Sequence, residues 1–436
     1  MIMLNNDKPI NPNDLMYDKL LDNLQGNILK GHGRDFTHHI FVKFDKNKIR
    51  SAKKWIKAFS DKITSCKQQL KDRQNYKKSN IPGRTFFGFY ISSSGYEVLE
   101  GSNYSKSFLK SMKMAELNDP EVSKWETGYK EDIHAMILIA DDDLKKIKNE
   151  AFILIDELNR FSSIQKTESG NVLRNDENDG IEHFRYADGI SQPLFLEDEV
   201  KEYRDKYKGK EIKYDPWFSL SQVLLPDPFV RDKDAFGSFL VFRKLEQNVY
   251  EFKKQEKRIA KHFEMNHDEG EEVGAVLVGR FEDGTPHVLS KKEGIFDNLT
   301  NNFDFKGSAG KCPFLSHIQA TNERTKETRS IVIARRGIPY GTESSNGHFY
   351  PKKDVGLLFM AFQSNIEMQF EKMQMHANTN GDLIIGQTHH TVDVVSTCFV
   401  NGNSRENSKA DVFVKLKGGE YFFAPSIPYL KNIKIE

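Results

Sequence analysis

Cysteine is scarce in this 436-residue chain: Cys66, Cys312 and Cys398 are the three, far apart and never in a CxxC pair. An odd, scattered set argues against a disulfide framework or a zinc knuckle and suits a reducing compartment. Net charge is lacking too. Lys and Arg total 64 against 63 Asp and Glu, so the chain as a whole has no field of one sign with which to gather nucleic acid. Long apolar runs are missing: stretches such as 135–140 and 357–362 fall far short of the roughly 20 residues that span a bilayer. The opening MIMLNNDKP has neither the basic nor the apolar region of a signal peptide. The expectation is a cytoplasmic protein with no membrane and no nucleic-acid partner. Walker A, strand-linked GxGxxG and GxSxG motifs are also absent, which removes the commonest nucleotide-binding and serine-hydrolase readings.

What is present is aromatic and patterned. With 32 Phe and 15 Tyr the composition is that of a packed globular protein, long enough for two or three domains. Residues 1–20 are polar and read as a loosely held arm. Ile40, Val42 and Phe44 alternate as in a half-buried strand. Ala52, Trp55, Ile56, Phe59, Ile63, Cys66 and Leu70 recur at helical spacing and read as one helix face. Strands follow at 85–91 and 134–140, then a helix over 144–158 started by Asp141-Asp142-Asp143. A similar order returns as strand 239–242, helix 249–263, strands 275–278 and 357–362, helix 366–375 and strand 420–423. The expected fold class is therefore α+β: two ferredoxin-like halves, each an antiparallel sheet with helices, over 1–196 and 237–436. A charged, proline-punctuated connector covers 197–236, and 400–418 reads as an exposed loop. Residues 43–78 hold 13 Lys/Arg against 3 Asp/Glu, a basic face that reads as solvated.

Few residues carry obvious chemistry. Asp188-Gly189 lies among Phe184, Tyr186, Ile190 and Phe195; an Asp-Gly pair is ordinarily a turn, but a carboxyl among aromatics is desolvated toward the range useful for proton transfer. His317 sits in the apolar stretch CPFLSHI with no second histidine or carboxylate at ligand spacing. It reads as a core residue or, if it binds metal, as a lone protein ligand, which suits a haem whose porphyrin fills four positions. The pairs His38-His39 and His389-His390 are adjacent and in a strand would point to opposite faces. Arg335-Arg336 precedes Gly337-Ile338-Pro339-Tyr340-Gly341; it is surface charge at a turn or a guanidinium aimed at an anionic oxygen.

Seven stretches in order, LQGNILKGHG at 24–33, DGISQP at 188–193, GSFLVFRKL at 237–245, GRFEDGTP at 279–286, CPFLSHI at 312–318, RRGIPYG at 335–341 and FQSNIEMQF at 362–370, together resemble the dye-decolorizing peroxidases, in the family's longer branch. The resemblance covers about 400 residues and implies the same pair of ferredoxin-like halves, with haem b in the C-terminal one. It implies His317 as the proximal iron ligand, Asp188 as the distal acid and base, Arg335 as the distal charge stabiliser, Gly189, Ile190 and Ser191 beside the cofactor, and Leu357 and Phe359 as apolar walls. Hydrogen peroxide and a phenolic or dye-like organic electron donor are the implied substrates. A carboxylate behind His317 is implied as well, with Glu367, Glu371 and Asp382 as candidates.

Three departures stand out. The first glycine of the family's Gly-x-x-Asp-Gly is Arg185, the His-Ile-Arg-Arg stretch reads His317-Ile318-Gln319-Ala320, and Asn-Pro-Arg reads Asn322-Glu323-Arg324. They motivate two rival readings, a haem-binding or haem-handling protein with little turnover and, from the basic 43–78 face, a non-catalytic interaction module.

Overall fold

The computed structural model describes residues 3–101, 106–262, 267–294, 301–306, 316–342, 350–379, 382, 384–385 and 413–435. Cys312, Cys398, the His389-His390 pair and the first part of the expected 400–418 loop lie outside them. Eight strands set the frame: β1 Phe36–Phe44, β2 Phe86–Ser92, β3 Ala135–Asp141, β4 Ser162–Asn171, β5 Phe236–Gln247, β6 Ile338–Tyr340, β7 Gly356–Gln363 and β8 Val414–Ala424. They pair in the order β6-β7-β5-β8-β2-β3-β1-β4, antiparallel throughout. Each half shows the interleaved strand order of a ferredoxin-like unit. The two halves are not separate sheets: β8 hydrogen-bonds to β5 on one side and, through Phe422↔Ser92 and Phe423↔Ile91, to β2 on the other.

The joined sheet rolls up until its ends meet. A Cβ at Gly170 on β4 would lie 2.5 Å from Ile338 Cγ2 on β6, so glycine allows that close approach. Phe41 of β1 meets Phe242 of β5 edge-on at 4.8 Å between centroids. Lys244 Nζ of β5 reaches Glu168 Oε1 of β4 at 2.9 Å. The interior of the roll is filled by fully buried aromatics, including Phe41, Tyr90, Phe242 and Tyr421, each contributing roughly 2–3 kcal/mol of apolar burial.

Several expectations change. The 52–70 helix face is split into α1 Ile49–Phe59, which ends with Ser60 N–H on Ile56 O, and α2 Cys66–Ser79, which Ser65 caps, its Oγ accepting from Gln68 N–H at 3.1 Å. Residues 275–278 are not a strand but the end of α3, His267–Val278; a short buried apolar run has no periodicity to tell the two apart. The second strand of the C-terminal half is β6, from the RRGIPYG stretch. The N-terminal arm is tied down: Ile10 N–H donates to Phe195 O at 3.0 Å and Ile10 O accepts from Glu197 N–H at 2.9 Å, ahead of a helix Leu15–Asn23. The expected connector carries a helix, Glu197–Lys206, and 414–418 belongs to β8. Basic residues of 43–78 are partly neutralised by Asp132, Glu150, Asp18 and Asp198, in keeping with a solvated face. Cys66 is buried, and burial pushes its thiol up to about 12, so it is inert. Among the described residues no helix is long and apolar enough to cross a membrane.

Candidate active site

One cavity is lined by Asp188, Ile190, Ser191, His317, Arg335, Leu357 and Phe359, residues that sequence reasoning had placed in one site. Gly189 is not in the lining; with φ +79° it makes the turn, and its N–H donates to Asp188 Oδ1 at 2.6 Å. Asp188 is fixed from behind by its own N–H on Gly180 O at 2.9 Å. Arg335 lies on a two-residue strand, Ala334–Arg335, that pairs with β7. Its N–H donates to Gln192 Oε1 at 3.0 Å and its Nη2 to Ile190 O at 2.7 Å, which leaves Nη1 at 3.8 Å from Asp188 Oδ1. Leu357 and Phe359 stand two apart on β7, and strand alternation puts both on the cavity face.

His317, also in the lining, opens the short helix His317–Thr321. Its Nδ1 contacts Asp382 Oδ2 at 2.8 Å, and Asp382 Oδ1 accepts from Ile384 N–H at 2.8 Å and Ile385 N–H at 3.3 Å. Of the three candidate carboxylates, geometry therefore selects Asp382, whose side chain is wholly buried; Glu371 accepts instead from Tyr421 OH at 3.0 Å. With Nδ1 committed to a carboxylate, Nε2 is the nitrogen left for the cavity, and the tautomer is fixed.

Further groups enter the lining that sequence reasoning had not assigned. Arg280 and Arg324 converge on Ser191 Oγ at 3.1 and 2.8 Å, and Arg324 also binds Asn301 Oδ1 at 2.8 Å. Burial, and for Arg280 the neighbouring Arg324 and Arg335, pull their guanidinium values down to about 9 and about 10 respectively, so this is a crowded cationic corner. The lining also holds Glu182, whose carboxyl burial pushes up to about 7, against three donors: Phe184 N–H at 2.9 Å, Tyr186 N–H at 3.0 Å and the Gln247 amide. Gln247 Oε1 and Arg243 Nη1, both in lining residues, are buried with no hydrogen-bond partner among the described residues. Arg185 does not line the cavity. Its side chain is 46% exposed, 3.9 Å from Glu282, in a left-handed turn at φ +83°. Gln319 and Ala320 are buried and also outside the lining. Among the described residues no group of three or more His, Cys, Asp or Glu could hold a metal ion.

A rolled pair of ferredoxin-like halves around a cavity with one carboxylate-backed histidine on one wall and an Asp–Arg pair on another defines a cofactor-dependent oxidoreductase site. Comparison with known proteins narrows it. The family model for the Dyp-type peroxidase C-terminal region matches residues 229–390. The chain is 35% identical to the multifunctional dye peroxidase DyP2 of Amycolatopsis, over 95% of this chain and 96% of that one, and 29% identical to the dye-decolorizing peroxidase msp1 of Mycetinis scorodonius, over 73% and 70%. A solved DyP-type peroxidase from Anabaena superposes with a TM-score of 0.91 at 37% identity, covering 99% of both chains. The chain belongs to the dye-decolorizing peroxidase family and is a haem-dependent peroxidase. The residues present fit a haem. A lone imidazole offers Nε2, apolar side chains wall the space, arginines wait at one corner, and the orphaned Gln247 Oε1 and Arg243 Nη1 are the kind of buried atoms that a bound group normally accompanies.

Proposed function

We propose that the chain is a haem b peroxidase that reduces hydrogen peroxide with Asp188 and Arg335 and oxidises phenolic or dye-like donors. When bound, the haem supplies an iron that receives peroxide and holds its oxidising equivalents. The protein does the rest. Asp188 Oδ1 is occupied by the Gly189 N–H, so Oδ2 takes the proton from one peroxide oxygen and returns it to the other as the O–O bond breaks. Arg335 is held by Gln192 and Ile190 with Nη1 near that carboxylate, where a fixed positive charge stabilises the negative charge that develops on the departing oxygen before the proton makes it water. Leu357, Phe359 and Ile190 exclude bulk water and strengthen both effects. His317 would be the iron ligand, held and made more electron-donating by Asp382. Arg280 and Arg324 would pair with the carboxylates of a bound haem.

The observation that carries this reading is the convergence of Asp188, Arg335 and the Asp382-backed His317 on one cavity. Haem-loaded protein is expected to show a ferric Soret band that His317→Ala abolishes or shifts. Asp188→Asn and Arg335→Leu are expected to slow the peroxide step by at least about 10²-fold in stopped flow. Unchanged rates in both variants would remove these roles.

A further inference from the structure

The second arginine of the pair is as constrained as the first, and toward different partners. Among the described residues the Arg336 guanidinium donates only to main-chain carbonyls: Nε to Asn27 O at 2.8 Å, Nη2 to Ile28 O at 2.9 Å and Nη1 to Arg335 O at 2.7 Å. Its own N–H donates to Met360 O at 2.7 Å. The peptide joining Arg335 to Arg336 is thus gripped at the carbonyl by a side chain and at the amide by β7.

The other end of the hook is rigid. Asn27 is left-handed at φ +69°, its N–H donates to Gln69 Oε1 at 2.7 Å, and its Oδ1 accepts from His32 N–H at 3.0 Å. Gln69 Nε2 binds Lys30 O and Gly31 O at 2.9 and 2.8 Å. Gln25 Nε2 donates to Phe89 O and Pro425 O, both at 2.8 Å, while its Oε1 accepts from Phe89 N–H at 2.9 Å. The LQGNILKG stretch, to which the peroxide chemistry gives no role, is therefore a braced loop that presents two carbonyls to one guanidinium. A planar fork reaches three carbonyls at once; an ammonium on a flexible stem does not hold such a geometry.

We infer that Arg336 is a positioning residue, which anchors the main chain of Arg335 to the 25–31 loop of the N-terminal half and so fixes where the Arg335 guanidinium stands over the cavity. The inference rests on the role given to Arg335 above.

The test is a double-mutant cycle on the haem-loaded full chain, with Arg335→Leu, Arg336→Met and the pair. Fluoride affinity, read from the ferric haem spectrum, reports the guanidinium charge over the iron, and stopped-flow peroxide reaction and thermal midpoint are measured beside it. Arg336→Met is expected to weaken fluoride and slow the peroxide step by about 10-fold or more, as small misplacements of a working group do. In the Arg335→Leu background the same change is expected to add less than about twofold, because its effect passes through Arg335. Equal effects of Arg336→Met in both backgrounds, or a lower midpoint with fluoride and peroxide unmoved, overturn the inference and leave Arg336 a stability residue. If Arg335→Leu alone changes nothing, the role of Arg335 itself falls, and with it anything Arg336 could position. Arg336→Lys, which keeps the charge but not the fork, is expected to fall between wild type and Arg336→Met, and it serves if the methionine variant does not fold; wild-type behaviour in the lysine variant also overturns the inference.

Discussion

The contact between His317 and Asp382 invites a sharp perturbation, Asp382→Asn. The substitution keeps shape, and the side-chain oxygen retained at the Oδ1 position still accepts from Ile384 and Ile385. What changes is the atom 2.8 Å from His317 Nδ1, from an ionised acceptor to an NH₂ donor. Nδ1 can then no longer donate toward it. Either the proton moves to Nε2, the nitrogen the iron needs, or two donors face each other in a wholly buried spot. A hydrogen bond to a charged group contributes about 1.5–3 kcal/mol, which at about 1.4 kcal/mol per decade is roughly a 10- to 100-fold loss, the range also typical when a partner behind a metal-bound histidine is removed. The assay is haem titration of cofactor-free protein followed at the Soret band, with the ferric/ferrous potential of the loaded variant as a second reading. Affinity is expected to fall by about that factor and the potential to rise, because a less electron-rich imidazole stabilises ferric iron less. Wild-type affinity together with a wild-type potential would refute the reasoning.

Three further outcomes follow from other parts of the cavity wall. Glu182 is protonated more readily when folded than its ordinary value near 4.5, so stability falls as pH rises from that value to about 7 and is level above it; the loss is on the order of 3 kcal/mol, and Glu182→Gln is expected to flatten urea midpoints between pH 5 and pH 7.5. Arg243 and Asp119 form a pair only 2% and 7% exposed; Arg243→Met alone is expected to cost roughly 3–5 kcal/mol by stranding Asp119, whereas Arg243→Met with Asp119→Leu recovers most of it, as read by thermal or urea unfolding. Arg324→Ala, which vacates the corner at Ser191 and Asn301, is expected to weaken haem binding by about tenfold, one charge-assisted hydrogen bond's worth, with a spectrum otherwise unchanged; undiminished affinity in a titration would show that the corner does not hold the cofactor.

How far the sequence carried depended on whether a signal was local. Asp188, His317 and Arg335 each stand in a short motif, and the cavity gathers all three. Glu182 and Gln247 carry no local sign: one lies before an aromatic turn and the other at the end of a long strand, and only the roll of the sheet brings them to one wall. Arg280 stands in the GRFEDGTP stretch and Arg324 in Asn322-Glu323-Arg324 with no local sign of a role; their convergence on Ser191 is tertiary. Asp382 could not be told from Glu367 or Glu371 by spacing, since the choice is made by which carboxylate returns to His317. Among the elements, 275–278 failed because three buried apolar residues fit a helix end as well as a strand, and the 52–70 face failed because the turn over 60–65 carries a buried Ile63 that continues the apolar spacing across the break. The sharing of one sheet between the halves had no sequence signal, because a strand's pattern does not name its neighbours.

The strand β8 has a consequence for how the molecule is made. It is the last of the eight strands along the chain, yet it is inserted between β5 and β2, in the middle of the sheet. During synthesis β2, β3, β1 and β4 can pair as they emerge, but β5 waits with one edge open, and the roll cannot close until 414–424 has been translated. The cavity is walled in part by β5 and β7 and by Val414 itself, so cofactor capture belongs to the end of synthesis or after it. Domains fold broadly in the order they emerge; here the earliest half is a waiting template, and its free β2 edge is the surface most exposed to wrong partners until the final strand arrives.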